Sequence, residues 1–116
     1  MARVIMVLAQ ADGYPEGRPE ERLEMRVCLT QQGTLDDDAW AFGPDPWRAV
    51  RVRPDLPQQA GEVVRTAACW ALRDGEGDDA PLTTLSVGLV RPGEIVTLTD
   101  PGAEPAQFRI VSVEVD

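Results

Sequence analysis

Alternation of apolar and polar residues recurs along most of the chain and predicts β-strands. The clearest case is the segment 21–30, whose apolar residues all fall on one side: Leu23, Met25, Val27 and Leu29. A period of two residues is typical of a strand with one buried side and one solvent-facing side. Residues 3–10 are mostly apolar and predict a more deeply buried N-terminal strand.

The same period continues in the second half of the chain. Residues 47–53, 82–90, 95–99 and 108–115 all predict strands. In the segment 47–53, Val50 and Val52 lie on one side, opposite Ala49, Arg51 and Arg53. In the segment 82–90, the residues on one side are Leu85, Val87 and Leu89. In the last segment we expect Val111, Val113 and Val115 to oppose Phe108, Ile110 and Ser112.

The segment 62–73 fits two structures. As a helix it would place Val63, Ala67, Trp70 and Ala71 on one face, and its alanines favour that conformation. As a strand it would place Val64, Thr66, Ala68, Trp70 and Leu72 on one side. We predict a strand, because its neighbours are strands and a hairpin-like acidic loop follows it.

Turn residues separate these segments. The chain has ten glycines and ten prolines, and Pro92-Gly93 is the pair that a type II turn requires. Asp36 is expected to cap one helical turn that runs to Ala41, because Pro44 and Pro46 prevent a longer helix. About seven short strands at regular spacing predict an all-β fold, with this one short helical turn. We expect one domain over residues 1–116, a small antiparallel β-barrel or sandwich.

The composition excludes many reaction classes. The chain has no histidine and no lysine. A catalytic triad, an imidazole metal site, a Schiff-base lysine and a P-loop therefore have no basis in this sequence. Carboxylates, arginines and two thiols remain. The interpretation that we favour is a non-catalytic protein-binding, assembly or regulatory domain without a cofactor.

Charge and cysteine content bear on partners and location. The formal net charge is −9, which opposes binding to nucleic acid or to anionic membrane surfaces and leaves a protein partner or self-association. The apolar run 4–9 is too short for a signal peptide or a membrane span. We expect Cys28 and Cys69 to be reduced, inert thiols in the cytoplasm, with a redox pair as the alternative.

Two acidic segments are weak candidates for a metal site. Asp36, Asp37 and Asp38, with Asp45 nearby, have the oxygen ligands that hard cations prefer, and they support the alternative of a carboxylate- or metal-dependent enzyme. A capped, solvated turn is the interpretation that we favour for them. The segment 74–79 partly resembles a calcium-binding loop, but Asp79 and Leu85 occupy the positions that require glycine and glutamate. We predict a hairpin connection there.

The Trp/Pro/Arg segment is the candidate surface for a partner or a second copy. Its candidate residues are Trp40, Phe42, Trp47, Arg48, Arg51 and Arg53. Exposed tryptophan and arginine are typical of interaction hot spots. Burial of Trp47 and Trp70 in the core is the alternative that we favour for those two residues, since large apolar side chains are mostly interior. Arg51 and Arg53 could also join Arg22 and Arg26 in a basic strip on the solvent-facing side, paired with Glu24 or Glu62.

One segment resembles a known family. Residues 91–114, RPGEIVTLTDPGAEPAQFRIVSVE, resemble the closing strand–turn–strand of the C-terminal domain of bacterial Gre-type transcript-cleavage factors. The resemblance covers about a fifth of the chain. The helical hairpin that carries the chemistry of those factors has no counterpart here. The resemblance implies a further hypothesis, that of a regulator that contacts the transcription or translation machinery.

Overall fold

The computed structural model describes residues 1–74 and 81–115. It contains eight strands: β1 (Ala2–Gln10), β2 (Arg18–Val27), β3 (Trp47–Val52), β4 (Gln59–Arg65), β5 (Trp70–Asp74), β6 (Leu82–Ser86), β7 (Ile95–Thr99) and β8 (Ala106–Val115). One short helix, α1 (Asp37–Phe42), lies between β2 and β3.

The strands form a closed antiparallel barrel. Each strand pairs with the next one along the chain, and β8 pairs with β1 to close the sheet. Closure leaves no unpaired sheet edge among these eight described strands. The predicted small all-β fold is confirmed, and of the two expected architectures, barrel and sandwich, it is the barrel, with eight strands where about seven were expected.

The eighth strand comes from the segment 62–73, which is neither one strand nor a helix. It is a hairpin of β4 and β5, and its turn lies between Thr66 and Cys69. The Thr66 amide donates to the Cys69 carbonyl at 2.8 Å, and the Thr66 hydroxyl donates to the same carbonyl at 2.9 Å. The prediction of β structure is correct for both halves. The sequence did not indicate the turn, because its residues include neither glycine nor proline.

Side chains fill the interior of the barrel. The interior positions of β1 and β2 follow the predicted period of two, with Met6, Leu23 and Met25 fully buried. Phe108 of β8, which pairs with β1, and Leu98 of β7 are buried in the same interior. An eight-stranded barrel has room for its own side chains or for one small ligand, and here buried side chains occupy the interior. Any ligand site must therefore lie at an end of the barrel or on its outer surface.

A bulge in β8 changes which of its residues face the core. Ile5 pairs with Ser112, whereas Met6 pairs with Ile110, so Val111 is an extra residue between the two pairs. The side chain of Val111 is 47% exposed. Beyond the bulge, Val113 packs against the core on the same side as Ile110. The expected opposition of Val113 to Ile110 is therefore wrong, because the extra residue reverses the alternation.

Strand β3 turns an arginine towards the interior. Its inward-facing residues are Trp47, Ala49 and Arg51, and all three are buried. The expected basic strip on the solvent-facing side therefore does not include Arg51. The period of the strand explains this placement. Arg51 lies an even number of residues after Trp47, so a strand that buries the tryptophan also points the arginine inward.

Tryptophans close one end of the barrel. The rings of Trp47 and Trp70 stack with centroids 5.4 Å apart, and Trp40 of α1 meets Trp70 edge to face at 6.2 Å. The Trp40 indole nitrogen donates to the Val63 carbonyl at 3.0 Å, which ties α1 to β4. We call this the tryptophan end.

Helix α1 forms as expected. The Asp36 side chain accepts a hydrogen bond from the Ala39 amide at 3.1 Å, and the helix ends at Phe42 before Gly43 and Pro44. Among the residues described, no helix is long and apolar enough to cross a membrane.

Candidate functional site

The end of the barrel opposite the tryptophans holds a polar cavity of about 530 Å³. In a barrel of consecutive antiparallel strands, alternate connections lie at the same end. The β1–β2, β3–β4 and β7–β8 connections therefore meet at this end, and all three line the cavity. We call it the cup. Among residues 1–74 and 81–115, its charged lining residues are three arginines and four carboxylates: Arg18, Arg51, Arg53, Asp12, Glu21, Asp100 and Glu104.

A buried ion pair forms the floor of the cup. Arg51 donates two hydrogen bonds to Asp100, from Nη1 to Oδ1 at 2.8 Å and from Nη2 to Oδ2 at 3.1 Å. The hydroxyl of Thr83, inside β6, donates to Asp100 Oδ1 at 2.6 Å. The arginine side chain is only 6% exposed, whereas Asp100 is 35% exposed. The network thus links β3, β6 and the β7–β8 connection across the barrel.

Both partners of this pair are charged at neutral pH. The hydrogen bonds from Arg51 hold the pKa of Asp100 below its ordinary value; partial burial opposes this shift, and the bond from Thr83 reinforces it. Burial disfavours the charge on Arg51, but the hydrogen bonds and charge of Asp100 outweigh it and raise the pKa of Arg51.

One donor of the floor is left without an acceptor. Within the described part of the chain, Nε of Arg51 is the buried side-chain nitrogen or oxygen that has no hydrogen-bond partner. A buried donor without a partner costs free energy, and native structures contain few of them. This nitrogen has less than 1 Å² of accessible surface, so it is packed against the protein and is not open to the cup.

A second ion pair lines the wall. Nε and Nη2 of Arg18 donate to Glu21 Oε1 at 3.1 and 2.6 Å, and the Glu21 side chain is 8% exposed. The Arg18 guanidinium also lies over the ring of Tyr14, 4.3 Å from its centroid, and donates to the Tyr14 hydroxyl at 3.2 Å. Hydrogen bonding to Glu21 raises the pKa of Arg18. The Tyr14 ring is thus held at the mouth of the cup.

A larger cleft of about 720 Å³ shares part of this end of the barrel. It is lined by Gln10, Asp12, Pro15, Glu104 and Gln107, among others. None of its lining side chains is buried. It therefore lacks the fixed, desolvated polar groups that distinguish a binding site from a surface groove, and the cup is the stronger candidate.

The structure separates the residues of the predicted partner-binding segment. Trp47 is buried in the core, which is the placement that we favoured from the sequence, so it is not available as a surface residue. At the tryptophan end, Trp40 is half-buried and Phe42 is 86% exposed. Arg48 is exposed at the start of β3. At the far end of β3, Arg51 and Arg53 belong to the cup, where Arg53 donates to the side-chain oxygen of Gln59.

The acidic candidates for a metal site do not converge. Asp36 caps α1, and Oδ1 of Asp37 lies 3.7 Å from Nε of Arg65. Asp38 and Asp45 are exposed. Over residues 1–74 and 81–115, no three His, Cys, Asp or Glu side chains are grouped so as to hold a metal ion. The segment 74–79, considered as a calcium-binding loop, lies outside the described residues except for Asp74.

The two cysteines are free and half-buried. Cys28 follows the end of β2 and packs against the core. Cys69 lies in the β4–β5 turn, where its sulfur is 3.5 Å from the Thr66 hydroxyl.

Sequence analysis missed most of the cup. The sequence pattern could have placed Glu21 and Arg51 inside the barrel, because each lies an even number of residues from the buried residues of its own strand. Asp100 carried none, since an aspartate before Pro-Gly is an ordinary turn residue. Tyr14 and Arg18 lie in and just after the predicted turn-rich loop, and nothing in their spacing connects them to Arg51.

Comparisons of the chain with known protein families, with curated proteins and with solved structures gave no significant match.

Proposed function

We propose that this chain is a non-catalytic binding domain and that the cup is its ligand site. The observation that carries this proposal is the Arg51–Asp100 ion pair, which fixes two charged groups at the floor of a cavity and leaves Asp100 35% exposed. The more exposed partner of this pair, Asp100, presents a carboxylate to a hydrogen-bond donor of a ligand in the cup. The mouth of a β-barrel is also a common place for ligand sites, and about 530 Å³ lies within the usual range of roughly 300–1,000 Å³.

The state of the carboxylates supports binding rather than catalysis. A general base works best when its pKa lies near the working pH. The pKa of Asp100 is instead shifted down, away from neutrality, and an arginine holds Glu21. The chain also has no histidine and no lysine, which are two of the other usual proton carriers.

The test is a titration of the ¹⁵N-labelled protein with a fragment library containing neutral, anionic and cationic compounds, followed by amide chemical shifts. We expect saturable shifts in segments 8–21, 51–56 and 100–106. Arg53→Ala should weaken these fragments several-fold, because Arg53 lines the cup. Arg109→Ala, an exposed arginine on the outer face of β8, is the matched control and should not.

Two results would contradict the proposal. Saturable shifts that cluster around Phe42 at the tryptophan end would move the binding site to the opposite end of the barrel and support a protein-partner surface there. A library that produces no saturable shift in the cup would remove the support for a ligand site altogether.

A further inference from the structure

We propose that the cup binds a neutral, polyhydroxylated molecule, such as a mono- or disaccharide, rather than a charged one. This inference rests on the proposed function, since it names the ligand class of the same site. The observations that carry it are the pairing of the charged groups, the mixture of donors and acceptors on the floor, and the aromatic ring at the mouth.

The buried charges of the cup are already neutralised. Arg51 is matched by Asp100, and Arg18 is matched by Glu21. Beside either pair, a charged ligand meets one group of its own sign for each group of the opposite sign, so neither pair attracts a charged ligand strongly. An anion would also meet four carboxylates against three arginines among the described lining residues, in a chain of net charge −9. The remaining carboxylates, Asp12 and Glu104, are exposed, and water and salt screen their attraction for a cation.

A hydroxyl group suits the floor better than an ion does. The guanidinium of Arg53, which lines the cup, carries donors only, whereas the carboxylates of Asp100 and Glu21 are acceptors only. Among the described residues Asp100 accepts three hydrogen bonds, and an ionised carboxylate has about four acceptor positions. Each hydroxyl both donates and accepts. Adjacent hydroxyls of one polyol can therefore serve both kinds of group without disturbing either ion pair.

The mouth of the cup offers apolar surface for the carbon skeleton of such a ligand. The Tyr14 ring is 42% exposed and is held in place by Arg18, and Leu56 of the β3–β4 connection is 52% exposed. An aromatic ring of this kind combines an apolar face with a polar edge. A saccharide has the same two-sided character, with C–H groups on the ring face and hydroxyls around the rim.

The experiment is the same amide-shift titration with defined probes at equal ionic strength: methyl α-glucoside, myo-inositol and maltose as neutral polyols, citrate as an anion and spermidine as a cation. We expect at least one neutral polyol to give saturable amide shifts in segments 8–21 and 100–106. Citrate and spermidine should give no saturable shifts in these segments. Tyr14→Ala should weaken that polyol by about fivefold or more, corresponding to the loss of one aromatic contact. Ile95→Ala, which removes a side chain of similar exposure (41%) from the outer face of β7, should not.

The outcomes separate the two proposals. If citrate or spermidine saturates the cup, or if library fragments bind there while all three polyols fail, the ligand class is wrong and the binding site stands. If neither the polyols nor the library fragments bind in the cup, both proposals fail. Polyol binding that Tyr14→Ala and Ile95→Ala weaken equally would also overturn the assignment to the cup.

Discussion

Arg51 and Asp100 lie 49 residues apart in the chain and form a two-bond ion pair inside one end of the barrel. The pair does two things at once. It ties the β7–β8 connection to β3, and it fixes a guanidinium at the floor of the cup with Nε unpartnered in the described part of the structure. The same residues therefore govern the stability of this end and its proposed ability to bind a ligand.

Removing the carboxylate from this pair should be costly. Asp100→Ala leaves the Arg51 charge buried without its partner, and we expect the free energy of unfolding to fall by about 2–3 kcal/mol, less than for a fully buried pair because Asp100 is 35% exposed. Urea denaturation measures this loss. Glu94→Ala is the control: its partner Arg91 is 65% exposed, so the change should stay below about 1 kcal/mol. Equal losses in the two variants would show that the Arg51–Asp100 pair is energetically an ordinary surface pair.

The same pair should make stability depend on acid. The pKa of Asp100 is lower in the folded state than in the unfolded state, so acid favours the unfolded state, which binds the proton more readily. The contribution of its charge is complete above the unfolded pKa of about 3.9 and is lost as the pH falls through the folded value. We expect the gap in melting temperature between the wild type and Asp100→Asn to be constant near neutral pH and to shrink below about pH 4. A gap that widens with acid would mean that the pKa is shifted in the opposite direction.

The tryptophan end should be essential for folding stability. Trp47→Ala removes one ring of the stack with Trp70 and leaves a cavity in the core, so we expect a loss of about 3–5 kcal/mol in the free energy of unfolding. Phe42→Ala, an aromatic substitution at the same end, should change stability by less than about 0.5 kcal/mol because Phe42 is 86% exposed. Chemical denaturation followed by circular dichroism compares the two. A large loss in Phe42→Ala would place that ring in the packed structure.

Gly61 should resist substitution for a steric reason. A Cβ atom at this position in β4 would approach the carbonyl oxygen of Arg73, on the paired strand β5, more closely than real Cβ atoms do. We expect Gly61→Ala to lower the free energy of unfolding by about 1–3 kcal/mol, since the two strands must shift apart. Gly88→Ala is the matched control, because a Cβ there meets nothing within 4 Å. Similar melting temperatures for the two variants would show that the hairpin adjusts without strain.

The sequence by itself determined the class of fold and much of the core. The period of two in residues 21–27 requires Leu23, Met25 and Val27 to share one side of a strand, and this depends only on local backbone geometry. The cap at Asp36 and the end of α1 before Pro44 are equally local. The absence of histidine and lysine limits the available chemistry in any fold.

The tertiary structure alone decided the closure of the barrel and the composition of the cup. The bulge at Val111 and the turn between Thr66 and Cys69 arise from pairing with other strands, and they override the simple alternation of their own segments. Arg51, Asp100 and Arg18 meet because the register of a closed sheet brings the ends of β3 and β7 and the start of β2 to one end. Register relates segments that are far apart in the chain. The pattern of β3 can therefore show that Arg51 points inward, but it cannot show that Asp100 lies beside it.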